Sequence, residues 1–288
     1  MIALLLGLLA ALGWSCHDLL ARRFAGPLGP YRMAFWVMLT GALLLLLPVL
    51  WRGTVWTAAP DAVWLALAMG VVYAVAAAGL FFALTLAPVS IVGPIVGGYP
   101  ALVVLWGLVN GLQPTVLQWL CIAVVLLGVI VVARSEQEGE GHSDVLPGKL
   151  PLVLIAATVS SIGYAATAVM GQQATASLGA WETTFVSRFP AAAVLLIAVI
   201  KQGRPSRPIP AQGWLGIFGM ATFDVGAVTA INMSAYFPNK ELGAMAISAS
   251  SATSVLLAMV FLKEKVTALQ WLGVAMIVVG VAGLALPV

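Results

Sequence analysis

The chain has 288 residues, of which 62% are apolar and only 8% charged, with a formal net charge of +3. An ordinary soluble domain is roughly 25% charged. This chain has more apolar surface than a soluble fold can hide, whereas a bilayer absorbs it at about 20 apolar residues per helical span. The apolar runs are continuous, which excludes a transmembrane barrel, whose strands alternate. The basic residues stand singly or in small groups at the ends of apolar runs, as membrane anchors do, so nucleic acid is not an expected partner.

Ten helical spans are predicted, at 3–21, 33–50, 62–86, 89–110, 117–133, 150–172, 183–200, 213–236, 241–262 and 268–287. The first has no basic stretch before it and runs on to Leu20 and Ala21, so it is expected to remain as a span rather than be cleaved. It carries Trp14, His17 and Asp18 on one face. His17 titrates near neutral pH when unperturbed, which makes it a candidate proton sensor; the alternative is a hydrogen-bonded packing histidine. Asp18 either shares that role or pairs with Arg22 four residues on. Arg32 opens the second span, and Tyr73 lies in the third among Val, Ala and Gly.

The fourth span holds Gly93, Pro94, Gly97, Gly98 and Pro100, with Tyr99 among them, and is expected to be interrupted. The sixth carries Ser160, Ser161, Tyr164 and Thr167, and the seventh Arg188. Asp224 and Asn232 share a face of the eighth. The ninth contains Ser248, Ser251 and their small neighbours. An ionisable group inside a span is costly unless it meets water or a partner. Asp224 is therefore either a cavity group for a substrate amine or a proton, or half of an ion pair with Arg188 or Arg32. Spans 5 and 10 are nearly all apolar, with Gly128, Gly273, Gly280 and Gly283. They are either packing elements or a face for a homodimer. Cys16 and Cys121, each inside an apolar segment, give neither disulfide nor metal spacing. No cofactor or metal is expected.

The chain is internally duplicated. Thr115, Leu117, Gln118, Trp119, Leu120, Ala123, Gly128 and Val129 recur as Thr267, Leu269, Gln270, Trp271, Leu272, Ala275, Gly280 and Val281, an offset of 152. Upstream, Trp64, Ala77, Pro88 and Gly93 recur 150 residues later, and Arg32 is matched to Arg188 at 156. The halves are 1–133 and 150–288, joined by a polar linker at 134–149 that is expected to be mobile. Five spans per copy turn the second copy upside down. The expected fold is thus an all-α polytopic membrane protein, ten transmembrane helices in two inverted five-helix repeats around a central cavity. At the 150 offset, Gly97 and Gly98 correspond to Ile247 and Ser248, so small-residue segments occupy matching places in both halves. Close helix packing is the other reading of those segments.

The stretch Val260-Phe261-Leu262-Lys263-Glu264-Lys265-Val266-Thr267, followed by Gln270-Trp271-Leu272-Gly273 and Gly280-Val281, resembles the ending of EamA-type proteins of the drug/metabolite transporter superfamily. Arg32 and Arg188 look like that family's recurrent arginine. The first half departs from the pattern, since Gly111-Leu112-Gln113 stands where an acid is usual. Glu264 is therefore assigned a structural charge, capping the last helix. The resemblance implies a ten-helix bacterial inner-membrane exporter of small metabolites, and YddG-like amino-acid exporters are similar in size and loop economy.

The leading expectation is alternating-access export of small, mostly zwitterionic metabolites, with no catalytic residue. Trp14, His17, Tyr73, Gly97, Gly98, Tyr99, Tyr164, Asp224, Asn232, Ser248 and Ser251 are the candidate binding residues. Asp224, His17 and Asp18 are the coupling candidates. An intramembrane aspartyl enzyme using Asp18 and Asp224 is the rival, though neither has the required motif; a lipid-carrier flippase is a third reading. Loops opposite the termini hold nine Lys and Arg against two on the terminal side, which places both termini outside the cytoplasm. The resemblance implies the opposite.

Overall fold

The computed structural model describes residues 1–24, 29–87, 89–135, 148–203, 208–263 and 266–284. Every regular element among them is helical. In order they are α1 (Ile2–Phe24), α2 (Pro30–Arg52), α3 (Pro60–Leu86), α4 (Val89–Gly97), α5 (Tyr99–Val109), α6 (Val116–Ser135), α7 (Leu150–Leu178), α8 (Ala180–Gln202), α9 (Ala211–Met233), α10 (Lys240–Met245), α11 (Ala249–Leu257) and α12 (Ala268–Leu284). Counting the segments Ile91–Val109 and Lys240–Phe261 as one each, nine described helices are long and apolar enough to cross a membrane, and Ala268–Leu284 is a shorter apolar helix. The chain is an integral membrane protein. Most of the linker, Glu264 and the side chain of Arg22 lie outside the described residues.

Local chemistry sets the helix ends, and it is duplicated. α2 and α8 are both 23 residues long. Each follows a glycine at positive φ with extended ψ, Gly29 (74°, 154°) and Gly179 (96°, 152°), and each ends at a left-handed glycine, Gly53 (φ 67°) and Gly203 (φ 60°). A side chain is disfavoured at all four positions, because L-residues rarely adopt positive φ. The Thr-x-Leu-Gln-Trp sequence that opens the last helix of each half also has a mechanical reason. Thr115 N–H donates to Gln118 Oε1 (3.0 Å) while Gln118 N–H donates to Thr115 Oγ1 (3.3 Å). Thr267 and Gln270 repeat this at 2.8 and 3.2 Å. These are capping boxes, each satisfying two otherwise orphaned helix N–H groups.

The glycine caps set the offset between α2 and α8 at 150, which corrects the matching of Arg32 with Arg188. The counterpart of Arg188 is Met38, and that of Arg32 is Glu182.

α1 packs on α9 and α7 on α3, while α2 packs on α8 and α6 on α12. The last two seams are antiparallel. The end of α2 meets the start of α8, where Arg52 pairs with Glu182. A Cβ on Gly128 would press on Ile277, and one on Gly280 would press on Val125, so each contact has its reciprocal. Gly128 and Gly273 also face each other's backbone. The glycines of predicted spans 5 and 10 are thus occupied by each other within one chain, and a homodimer through α6 and α12 would have to use their outer faces instead. Outward stripes are apolar, as in Leu43, Leu47 and Trp51, which are 62%, 77% and 93% exposed.

The span expected to be interrupted is, and the ninth, its counterpart in the second half, departs from α-helix at the matching place. The first breaks at a turn on Gly98, between α4 and α5, with Pro100 tolerated in the first turn of α5. The second contains a 3-10 turn at Ala246–Ser248 and ends in a π-helical turn at Ala258–Leu262. α7 runs six residues past its predicted end at 172. Gln172 is buried there and donates to Ser234 Oγ at 2.9 Å, and Ala174 and Leu178 carry the buried face onward.

Candidate functional site

One charged pair lies in the middle of the apolar helices. Arg188 Nη1 of α8 stands 2.6 Å from Asp224 Oδ2 of α9, and the two side chains are 3% and 2% exposed. The other carboxylate oxygen of Asp224 accepts from Trp14 Nε1 of α1 (3.2 Å) and from the Tyr73 hydroxyl of α3 (3.4 Å). Arg188 Nη1 also donates to Met38 Sδ of α2 (3.0 Å). Of the two partners considered for Asp224, Arg188 is the one found; Arg32 is half-buried and forms no ion pair with a described residue. Trp14, Tyr73 and Met38 come from the first half of the chain and Arg188 and Asp224 from the second, so the pair ties the halves together.

An aromatic path leads away from it. Tyr73 and Tyr164 of α7 meet edge to face at 5.9 Å, and Tyr164 lies 5.8 Å from Tyr99, the first residue of α5. Trp14, Tyr73, Tyr99 and Tyr164 all remain partly exposed. Five of the predicted binding residues are therefore brought together. His17 is half-buried, with Nδ1 3.0 Å from Asp18 Oδ1, whose side chain is 60% exposed. Asp18 thus pairs with its neighbour and not with Asp224, so the two aspartates make no catalytic dyad.

The other predicted residues sit elsewhere. Asn232 is not joined to Asp224: its Nδ2 donates to Thr184 Oγ1 at 3.0 Å, beside Thr229, and Gly171 makes room for its carbonyl oxygen. It is a buried tie between α8 and α9. Gly97 packs on Val129 of α6. Ser248 is buried and its hydroxyl has no hydrogen-bond partner. Gly98 and Ser251 are half-buried. The expected cavity is small: beside Arg188, Tyr73 and Gly70 it measures about 10 Å³, room for about one water.

Sequence reasoning missed a second buried acid. Glu182, 0% exposed, receives the Thr54 hydroxyl on Oε1 (2.5 Å) and pairs there with Arg52 Nε (3.1 Å). The predicted seventh span began at 183 and left Glu182 in a loop. The signal was Gly179 followed three residues later by an acid, the spacing of a helix start. Arg52 also lines a groove of about 260 Å³ with Pro48, Trp51 and Trp181.

A family model described as the EamA-like transporter family matches residues 1–134 and 151–286. A crystal structure described only as that of a protein superposes with a TM-score of 0.80, covering 98% of this chain and 96% of its own at 21% identity. At that identity it shows the fold. No curated protein matches the sequence.

Proposed function

The chain belongs to the EamA-like transporter family, and from that premise we propose that it exports small metabolites, amino acids foremost, across a bacterial inner membrane. Members of this family are transporters and not enzymes, so what is added concerns mechanism and cargo. Transport proceeds by alternating access between two five-span repeats of opposite orientation. The paired glycine caps, the duplicated capping boxes and the antiparallel α2–α8 and α6–α12 seams support that arrangement. Interruptions at matching places in α4–α5 and α10–α11 support a site between the repeats.

The observation that carries the reading is the buried Arg188–Asp224 pair, held from the opposite half by Trp14, Tyr73 and Met38. A charged pair contacted by both halves is disturbed when they rock, so solute binding and rocking are linked through it. The end of the molecule marked by Arg52 and Glu182 is latched by that ion pair and by apolar packing of Ala10, Val103, Ala244 and Ile247. Rocking has to release this latch.

The test is flux of a panel of labelled amino acids in proteoliposomes, for wild type and Asp224→Asn. At least one amino acid is expected to be carried, and the variant to carry it at least about tenfold more slowly, since one charge-assisted contact is worth about that much. Unchanged flux in the variant removes Asp224 from the mechanism; no flux of any amino acid refutes the cargo.

A further inference from the structure

Arg188 leaves part of its donor capacity unused, and for a buried arginine that is costly. A guanidinium carries five N–H groups. Here Nη1 is ion-paired with Asp224 and donates to Met38 Sδ, while Nε, Nη2 and Asp224 Oδ2 have no hydrogen-bond partner, on side chains 3% and 2% exposed. A buried charged donor left unmade is expensive, and an arginine kept only for stability would have that edge filled by protein oxygens. The edge also has a shape. Nε–H and one Nη2–H point in parallel, the fork that matches the two oxygens of a carboxylate. Beside Arg188 is the void of about 10 Å³, bounded by Met69, Gly70, Tyr73, Ala191 and Val228.

We infer that the Nε–Nη2 edge of Arg188 is a carboxylate subsite, and that the ligand it takes is an α-amino acid. Its ammonium goes to the Asp224 side, against the rings of Trp14 and Tyr73. Charge balance selects this class. Arg188 and Asp224 cancel each other, so a plain carboxylate would leave the buried site at net −1 and a plain amine at net +1, both costly away from water. A zwitterion leaves it neutral and gives each member of the pair a partner. The void admits a water and not a carboxylate, so the ligand enters when α3 draws back from α8. That seam has no side chain at Gly70, where a Cβ would strike the Ser187 carbonyl.

This assignment rests on the transporter reading, and the test separates the two. Binding to purified protein is measured by calorimetry for L-leucine and L-phenylalanine, each beside its amide, its decarboxylated amine and its deaminated acid. In at least one set the amino acid is expected to bind about tenfold more tightly than its three analogues, the worth of one charge-assisted pair. Arg188→Lys keeps the charge opposite Asp224 and removes the fork, so its preference for acid over amide should fall towards unity. The charge-neutral pair Arg188→Gln with Asp224→Asn, which avoids a lone buried charge, should lose discrimination among all four. An amide that binds as well as its acid, an unchanged preference in Arg188→Lys, or no binding of any probe overturns the subsite. Proteoliposome flux of amino acids without such a preference would leave the proposed cargo standing and remove only this assignment; absence of flux for every amino acid would refute the cargo and this assignment with it.

Discussion

Among the described residues, the two ion pairs that hold a buried acid differ in what water can reach. In the Arg188–Asp224 pair both members are enclosed, whereas in the Arg52–Glu182 pair Glu182 is 0% exposed and Arg52 is 54% exposed. Cutting the second pair should therefore be asymmetric. Removing the acid frees an arginine that can turn into water. Removing the arginine strands a carboxylate that cannot, with only the Thr54 hydroxyl still donating to it. Glu182→Gln is expected to cost about 1 kcal/mol and Arg52→Met about 3 kcal/mol, the range for an uncompensated buried charge. Thermal unfolding of the purified variants checks this; equal losses would mean that water reaches Glu182. At this scale the sequence was legible where a polar residue stood out in an apolar run, as Trp14, Tyr73, Tyr164 and Asp224 do. It was not legible where the answer depends on which neighbouring helix faces a residue. Asn232 shares a helix face with Asp224 but meets Thr184, and the choice of Arg188 over Arg32 depends on the α8–α9 packing.

At the scale of helices, small residues decide how closely backbones approach, because between apolar spans association rests on packing and interhelical bonds. Gly70 and Gly226 show the contrast within one chain. A Cβ on Gly70 of α3 would collide with the Ser187 carbonyl and press on Pro190, whereas one on Gly226 of α9 would meet nothing within 4 Å. Gly70→Ala must push α3 from α8 and is expected to destabilise by about 1–3 kcal/mol. Gly226→Ala should be neutral or stabilise by up to about 1 kcal/mol, since alanine is the better helix former. Unfolding midpoints in one detergent check both, and a loss at Gly226 matching that at Gly70 would refute the packing account. The rough extent of the apolar helices was readable because apolar length sets it. Their ends were less so: α7 passes 172 because Gln172 finds Ser234, a partner 62 residues away that no local pattern reveals. The break in the fourth span was readable, because Gly and Pro cluster there, and its counterpart only as a run of small residues at the matching place.

Across the whole molecule, orientation and duplication can be tested together. By the alternation of helices, Arg134, Lys149 and Lys201 lie at one end and Arg52 and Lys240 at the other. Positive charge marks the cytoplasmic side, so the Arg134 end is expected to face the cytoplasm and both termini the outside. Arg52 and Lys201 close α2 and α8, the helices that share a length and a pair of glycine caps. If the repeats are inverted, these two equivalent ends must reach opposite faces of the membrane. Cys16→Ala and Cys121→Ala remove the native thiols, and single cysteines then replace Arg52, Lys240, Arg134 or Lys201. Because Arg52→Cys disturbs the latch, Lys240→Cys reports the same face independently. With a membrane-impermeant maleimide on intact cells, positions 52 and 240 should label, and 134 and 201 only after permeabilisation. The reverse pattern would turn the protein over while keeping the two repeats opposed. Labelling of 52 and 201 from the same side would make the repeats parallel. Alternating access between opposed halves would then be lost, although the Arg188–Asp224 site would keep its geometry.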